Sequence, residues 1–146
     1  MVFPLAFSHS EQAIEPEQRF LNSLGSAPRE EQALSDAAQE HAQYLANQGR
    51  LSHLGRNSEH ADLRVREAGS TAVRVTEIIG YGMNIQDVIS AWIQSRSHRA
   101  ALENQSWTRY GFGYTETGQG RIFVALFRYT PFSDLEIQRE DTSLIV

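Results

Sequence analysis

The stretch Ile122–Tyr129, with the sequence IFVALFRY, has the pattern of a β-strand that is buried on both of its faces. Side chains alternate between the two faces of a strand. One face carries Ile122, Val124 and Leu126, and the other carries Phe123, Ala125, Phe127 and Tyr129. Because both faces are apolar, other elements must cover both. The stretch therefore predicts a three-layer fold, with helices on either side of a sheet.

The residues before this strand predict its partner in a hairpin. In Tyr110–Tyr114, aromatic residues alternate with glycines, and Thr117–Gly120 has the composition of a turn. These residues indicate an antiparallel pair of strands. Gly111 and Gly113 fall on one face of the first strand, where the lack of side chains lets a helix or loop approach closely.

Helical periodicity accounts for much of the remaining chain. A first helix is predicted over Glu11–Leu24 and a second over Pro28–Gln48, with Gly49 as its end. His41 lies on the apolar stripe of the second helix and is interpreted as a packing residue. The segment 55–69 is predicted to be a loop with one turn near Asp62. A third helix has a buried face formed by Ile85, Val88, Ile89 and Trp92.

The segment Val73–Ile79 is rich in β-branched residues and is predicted to be a strand. Its alternation places Glu77 on one face with Val73, Val75 and Ile79. A carboxylate on an apolar face requires a partner. Histidines flank it in sequence, His53 before the strand and His98 after it. The alternative is that Glu77 lies at a solvated end of the strand.

The composition limits the possible functions. The chain has 146 residues, the length of a single domain, predicted as a tail over 1–10, a domain over 11–130 and a tail or edge strand over 131–146. The absence of cysteine excludes disulfides, cysteine metal sites and thiol nucleophiles. The net charge of −5 argues against nucleic-acid binding. No apolar run reaches the length of a membrane helix.

The first residues do not resemble a signal peptide. Met1–Phe7 is apolar, but it lacks a basic residue and contains a proline. The sequence therefore leaves two possibilities, a protein that stays inside the cell or a chain that begins after a removed signal.

An ordered set of residues resembles a bacterial member of the CAP superfamily, which comprises cysteine-rich secretory, antigen 5 and pathogenesis-related proteins and is also called SCP-like. The resemblance covers roughly 20–129 and implies an α+β fold, an α-β-α sandwich around a central antiparallel sheet. The residues that carry it are Ala37, Ala38, His41, Ala42, Ser52, His53, Arg64, Gly69, Glu77, Trp92, Ser95, His98, Arg99, Gly111, Phe112, Gly113, Phe123, Val124 and Phe127.

The resemblance also implies a central cleft that holds two histidines and two glutamates. His53, Glu77 and His98 match three of these positions, whereas Ser95 stands at the position of the second glutamate. In addition, Ile78 replaces the asparagine that usually follows the first glutamate. These departures weaken the transfer of family-wide functions to this chain.

Two imidazoles and a carboxylate suit an open zinc site that keeps a water in its fourth position. The predicted ligands of a weakly bound zinc ion are therefore His53, Glu77 and His98. Ser95 and Arg64 are predicted to line the same cleft, and Arg64 matches an arginine that is common in bacterial relatives.

The resemblance favours a secreted, non-catalytic binding module for a small hydrophobic ligand or a protein partner, located outside the cell or in the periplasm. One alternative is a metal-dependent hydrolase that acts on peptide or cell-envelope material, and another is a purely structural or interaction domain. A serine hydrolase using Ser95 or Ser97 with His98 is a further alternative, but the chain has no Gly-x-Ser-x-Gly motif.

Overall fold

The computed structural model describes residues 9–129, with side chains from residue 16 onward. The predictions for the tail over 131–146, and for most of the tail over 1–10, lie outside this range. The elements are α1 (His9–Asn22), β1 (Arg29–Glu30), α2 (Gln32–Gln48), α3 (Ala61–Glu67), β2 (Thr76–Gly82), α4 (Ile85–Gln94), α5 (Arg96–Glu103), β3 (Arg109–Glu116) and β4 (Arg121–Arg128). A short 3₁₀ turn at Arg56–Ser58 precedes α3.

The sheet has the strand order β1-β3-β4-β2. The three long strands pair in antiparallel fashion, as predicted, with β4 between β3 and β2. The two-residue β1 adds a parallel pair with β3, so the complete sheet is mixed. The predicted α+β fold with three layers is confirmed.

Strand β4 is buried on both faces, as its sequence predicts. Phe123, Ala125 and Phe127 join a core cluster with residues of α1, α4 and α5. On the other face, Ile122, Val124 and Leu126 join a second cluster with residues of α2 and α3. The outer layers of the fold are thus α2 with α3 on one side and α1, α4 and α5 on the other.

Helix α2 lies against β3, where the two glycines allow a close approach. A Cβ atom added at Gly111 would overlap the backbone at Leu34, and one added at Gly113 would overlap the backbone at Gln39. The side-chain amide of Gln39 accepts a hydrogen bond from Tyr114 N at 3.1 Å and donates one to Tyr114 O at 2.9 Å. Because β1 pairs with only two residues of β3, α2 satisfies backbone groups that the sheet leaves open.

Two predicted boundaries are wrong, each because of strand pairing. Helix α2 begins at Gln32 rather than Pro28, since Arg29–Glu30 pairs with β3. Strand β2 begins at Thr76 rather than Val73, and the Val73 residue is 77% exposed. In both cases a neighbouring strand decides where the regular structure starts.

Two other predictions need correction. The segment 55–69, predicted as a loop with one turn, contains the full helix α3, which is held in place by the completely buried Val65. Ser97 lies inside α5 instead of capping it, and Ser95 is the N-cap residue. The predicted buried face of α4 is confirmed, because Ile85, Val88, Ile89 and Trp92 are all buried.

Candidate functional site

Glu77 is a buried carboxylate in β2. The pleat of the strand puts it on the same face as Val75 and Ile79, which pack in the core cluster beneath α2 and α3. Only 3% of its side chain is exposed. The prediction that it shares a face with these two residues is confirmed, and the alternative of a solvated strand end is wrong.

The charge of Glu77 is balanced by Arg64, which extends from α3. Arg64 Nη1 donates to Glu77 Oε2 at 2.8 Å, and Arg64 Nη2 donates to Glu77 Oε1 at 3.0 Å. Such a bidentate guanidinium–carboxylate pair is among the strongest side-chain interactions. The Arg64 side chain is only 10% exposed, so the pair is screened little by solvent.

Two opposing influences act on the Glu77 carboxyl group. Burial raises its pKa, whereas hydrogen bonds from His53 and Arg64 and the charge of Arg64 lower it. The net effect is a pKa below the usual value for glutamate. Glu77 is therefore ionised at neutral pH, and its negative charge is a permanent part of the site.

His53 lies at the exposed side of this pair, in the loop after α2. Its Nδ1 atom is 3.0 Å from Glu77 Oε1, and 61% of its side chain is exposed. The ionised carboxylate can only accept a hydrogen bond, so Nδ1 carries the proton. In the neutral ring, Nε2 is consequently the hydrogen-bond acceptor. The hydrogen bond to Glu77 raises the pKa of His53, although partial burial lowers it.

We expect the contribution of His53 to stability to decrease as the pH rises. Because its pKa is raised in the folded protein, this contribution is complete below the unfolded value of about 6.5 and is lost as the pH passes through the folded value. Urea unfolding of the wild type and His53→Ala should therefore show a larger difference in free energy at mildly acidic than at mildly alkaline pH. A difference that stays constant or grows with pH would contradict this linkage.

His41 lies behind Glu77 and is 2% exposed, which confirms its prediction as a packing residue. Its Nε2 atom donates to Ser52 O at 2.8 Å and lies 3.9 Å from Glu77 Oε1. Burial lowers the pKa of His41 more than the charge of Glu77 raises it, so the ring is neutral. Its Nδ1 atom is then an acceptor, and it has no hydrogen-bond partner within the described part of the chain.

His98 is placed on a different layer from Arg64. It belongs to α5, whose buried residues Ala101 and Leu102 pack on the opposite face of the sheet from α3. The hydrogen-bond partner of His98 Nδ1 is Ser95 Oγ, at 2.7 Å. The structure thus joins the predicted site residues in two groups, His53 and Arg64 with Glu77, and His98 with Ser95.

A small cavity of about 240 Å³ adjoins His53 and Glu77. His60 and Asp62 also line it, and neither was a predicted site residue. Asp62 Oδ1 accepts a hydrogen bond from Val75 N at 2.8 Å, which joins α3 to the start of β2. These two residues were missed because their segment was predicted to be a loop.

The donor set in this arrangement does not fit a divalent metal. Both oxygens of Glu77 accept hydrogen bonds from Arg64, and His53 directs a protonated nitrogen at the same carboxylate. Among residues 16–129, no three or more His, Cys, Asp or Glu side chains are grouped so that they could hold a metal ion. Zinc binding by His53, Glu77 and His98 stays a prediction that a titration must test.

A second, larger cavity lies at the other end of β2. It has a volume of about 590 Å³ and is referred to below as the apolar groove. Leu51 and Tyr81 stand at its border and are 47% and 49% exposed. Its lining residues are Ala46, Gly49, Arg50, Leu51, Tyr81, Thr117, Gly118, Gln119 and Ile122.

Comparison with known protein families gives one match. The sequence model of the CAP family, described as the Cysteine-rich secretory protein family, matches residues 29–128. This range includes Arg64, Glu77 and both predicted histidine ligands. No curated protein sequence matches the chain significantly.

Solved structures show the same fold at low sequence identity. An outer surface protein of Borrelia burgdorferi is 22% identical, with a TM-score of 0.67 over 86% of this chain and 97% of its own. An extracellular protein of Bacillus anthracis that contains an SCP domain is 15% identical, with a TM-score of 0.69. That match covers 88% of this chain but only 46% of the Bacillus chain.

A parasite protein extends this similarity. The venom allergen-like protein 4 of Schistosoma mansoni is 10% identical, with a TM-score of 0.59 over 88% of this chain and 99% of its own. At these identities the similarity establishes the fold alone. As a separate observation, none of the helices in the described part of the chain is long and apolar enough to cross a membrane.

Proposed function

The chain belongs to the CAP, or Cysteine-rich secretory protein, family, and we propose that it is a non-catalytic binding module for a small hydrophobic ligand. An extracellular or periplasmic location is part of this proposal. It is supported by the Borrelia and Bacillus proteins of the same fold, which are described as an outer surface protein and an extracellular protein.

The observation that carries the proposal is the apolar groove. Its volume of about 590 Å³ lies within the range of about 300–1,000 Å³ that is usual for small-molecule sites. Leu51 and Tyr81, which line it, leave about half of their surface in water, and the buried Ile122 also lines it. A hydrophobic ligand would remove this apolar surface from water, which is favourable.

The state of Glu77 supports a non-catalytic role. A general base needs a free lone pair within reach of a substrate. Both Glu77 oxygens already accept hydrogen bonds, and the side chain is 3% exposed. Ser95 and His98 are hydrogen-bonded to each other, but the carboxylate that would orient the histidine in a triad is held by Arg64 and His53. Hydrolysis of casein that requires His53 or His98 would contradict this role.

The ligand proposal can be tested with cis-parinaric acid, a fluorescent fatty acid. The wild type should bind it saturably, and Leu51→Asp should weaken the binding about tenfold or more, because the bound chain would lose an apolar contact and meet a charge. Leu63→Asp is the matched control, since Leu63 is 41% exposed on α3 and does not line the apolar groove. It should bind the probe like the wild type.

Two results would contradict the proposal. One is the absence of saturable binding to the wild type, and the other is an equal loss of binding in the two aspartate variants. The second result would indicate that the probe follows general surface hydrophobicity rather than the apolar groove.

A further inference from the structure

The carboxylate of Glu77 has little remaining capacity to accept another ligand. An ionised carboxylate offers about four lone-pair positions on two oxygens. Three are engaged, two by Arg64 at 2.8 and 3.0 Å and one by His53 at 3.0 Å. His41 Nε2 lies 3.9 Å from Oε1 and crowds the same atom. The one position that remains is on Oε2, which Arg64 Nη1 holds at 2.8 Å, so a metal ion bound there would lie beside the guanidinium.

Several contacts besides the one with Glu77 fix the position of Arg64. Its Nη2 atom also donates to His53 O at 2.9 Å, so a single guanidinium holds both the carboxylate and the loop that carries His53. Gly55 makes room for it, because a Cβ atom at position 55 would lie 3.0 Å from Arg64 Cδ and 3.2 Å from Arg64 Nε. Displacing the guanidinium would therefore disturb α3 and this loop together.

The neighbouring histidines do not supply the metal ligands that the engaged carboxylate cannot provide. His53 uses Nδ1 for Glu77, which leaves only Nε2, and His98 Nδ1 is paired with Ser95 Oγ. A Zn²⁺ ion close to Glu77 would also lie within a few ångströms of the Arg64 guanidinium. The repulsion between the two cations would be strong in this poorly solvated place.

We propose that Arg64 is the permanent counter-ion of Glu77 and takes the place of a divalent metal, so that the cleft of this chain excludes zinc. This inference concerns the Glu77 site and is independent of the apolar groove. Removal of Arg64 is therefore expected to create zinc binding at this site. Without the guanidinium, Glu77 and His53 become available to a metal ion.

Calorimetric titration with zinc chloride at slightly alkaline pH tests the inference, because imidazole binds a metal in its neutral form. The wild type should bind no zinc beyond what His53→Ala binds. Arg64→Gln should gain saturable binding of one zinc ion per chain, and the added His53→Ala change should remove it. Arg64→Lys is the matched control, because it keeps the positive charge and should not gain the site.

A second readout covers the case in which Arg64→Gln is partly unfolded. Zinc should then raise its melting temperature, whereas the melting temperatures of the wild type and Arg64→Lys should not rise, because a ligand that binds only the folded state stabilises it. Zinc binding by the wild type that disappears in His53→Ala would overturn the inference. So would Arg64→Gln if it neither binds zinc nor is stabilised by it.

Discussion

Replacement of Arg64 by methionine is expected to lower the free energy of unfolding by about 3–5 kcal/mol, the usual cost of removing one partner of a buried ion pair. The substitution keeps most of the side-chain volume and removes the charge. Glu77, with 3% of its side chain exposed, would then be a buried carboxylate that has lost its guanidinium partner and keeps the hydrogen bond from His53. Urea unfolding at neutral pH measures the loss.

The stability lost in Arg64→Met should depend on pH. The pKa of Glu77 is lowered in the folded protein, so its ionised form contributes stability that is present above the unfolded value and is lost as the pH falls through the folded value. The difference between the wild type and Arg64→Met should therefore shrink in acid, where Glu77 becomes protonated and no longer needs a counter-ion.

The double variant Arg64→Met/Glu77→Leu is the control. Removing both charges together avoids the isolated carboxylate, and apolar replacements of buried ion pairs are often neutral. It should regain most of the stability that the single variant loses. A single variant that costs less than about 1 kcal/mol would indicate that water reaches Glu77 and solvates it.

The layer structure could be predicted because it is encoded locally. In Ile122–Phe127, every position on both faces is apolar, and a strand of that kind is stable only between two covering layers. The buried face of α4 could be predicted for the same reason, since Ile85, Val88, Ile89 and Trp92 recur at helical spacing. Both patterns lie within one element and need no knowledge of its neighbours.

The partners of Glu77 could be predicted only in part. His53 was predicted beside Glu77, and its imidazole does contact the carboxylate. Arg64 was predicted to line the cleft, but its bidentate contact with Glu77 depends on helix α3, and the sequence predicts a loop there. The residues of α3 are mostly polar, and Val65, which is completely buried, is its single buried residue. One apolar residue gives no periodicity that a sequence pattern could detect.

The predicted starts of α2 and β2 are wrong because strand pairing decides where each element begins. Arg29 and Glu30 have ordinary helix propensity, yet their backbones pair with Arg109 and Tyr110. A parallel contact between segments so distant in sequence leaves no local pattern. The position of His98 likewise leaves no local pattern, because the packing of α5 decides the layer in which His98 lies, and its spacing from Glu77 in sequence does not.

Because α2 packs so closely on β3, adding a single methyl group at Gly111 is expected to lower the free energy of unfolding strongly. In Gly111→Ala, the new Cβ atom would overlap the backbone of Leu34 and Ser35, and backbone cannot rotate away as a flexible side chain can. Helix α2 would have to move outward. That movement would stretch the hydrogen bond from Phe112 N to Ser35 Oγ, now 3.3 Å long, and those between Gln39 and Tyr114. We expect a loss of about 3 kcal/mol or more, the upper end of over-packing costs.

Gly118→Ala is the matched control for this change. Gly118 lies in the turn between β3 and β4, and a Cβ atom added there would meet no atom within 4 Å. Its effect on the free energy of unfolding should stay within about 0.5 kcal/mol, as is usual for surface substitutions. Urea unfolding of the two variants compares the same chemical change with and without α2 above it. Equal stabilities would show that α2 can move away from β3 at little cost, and the close approach would then not determine the position of this layer.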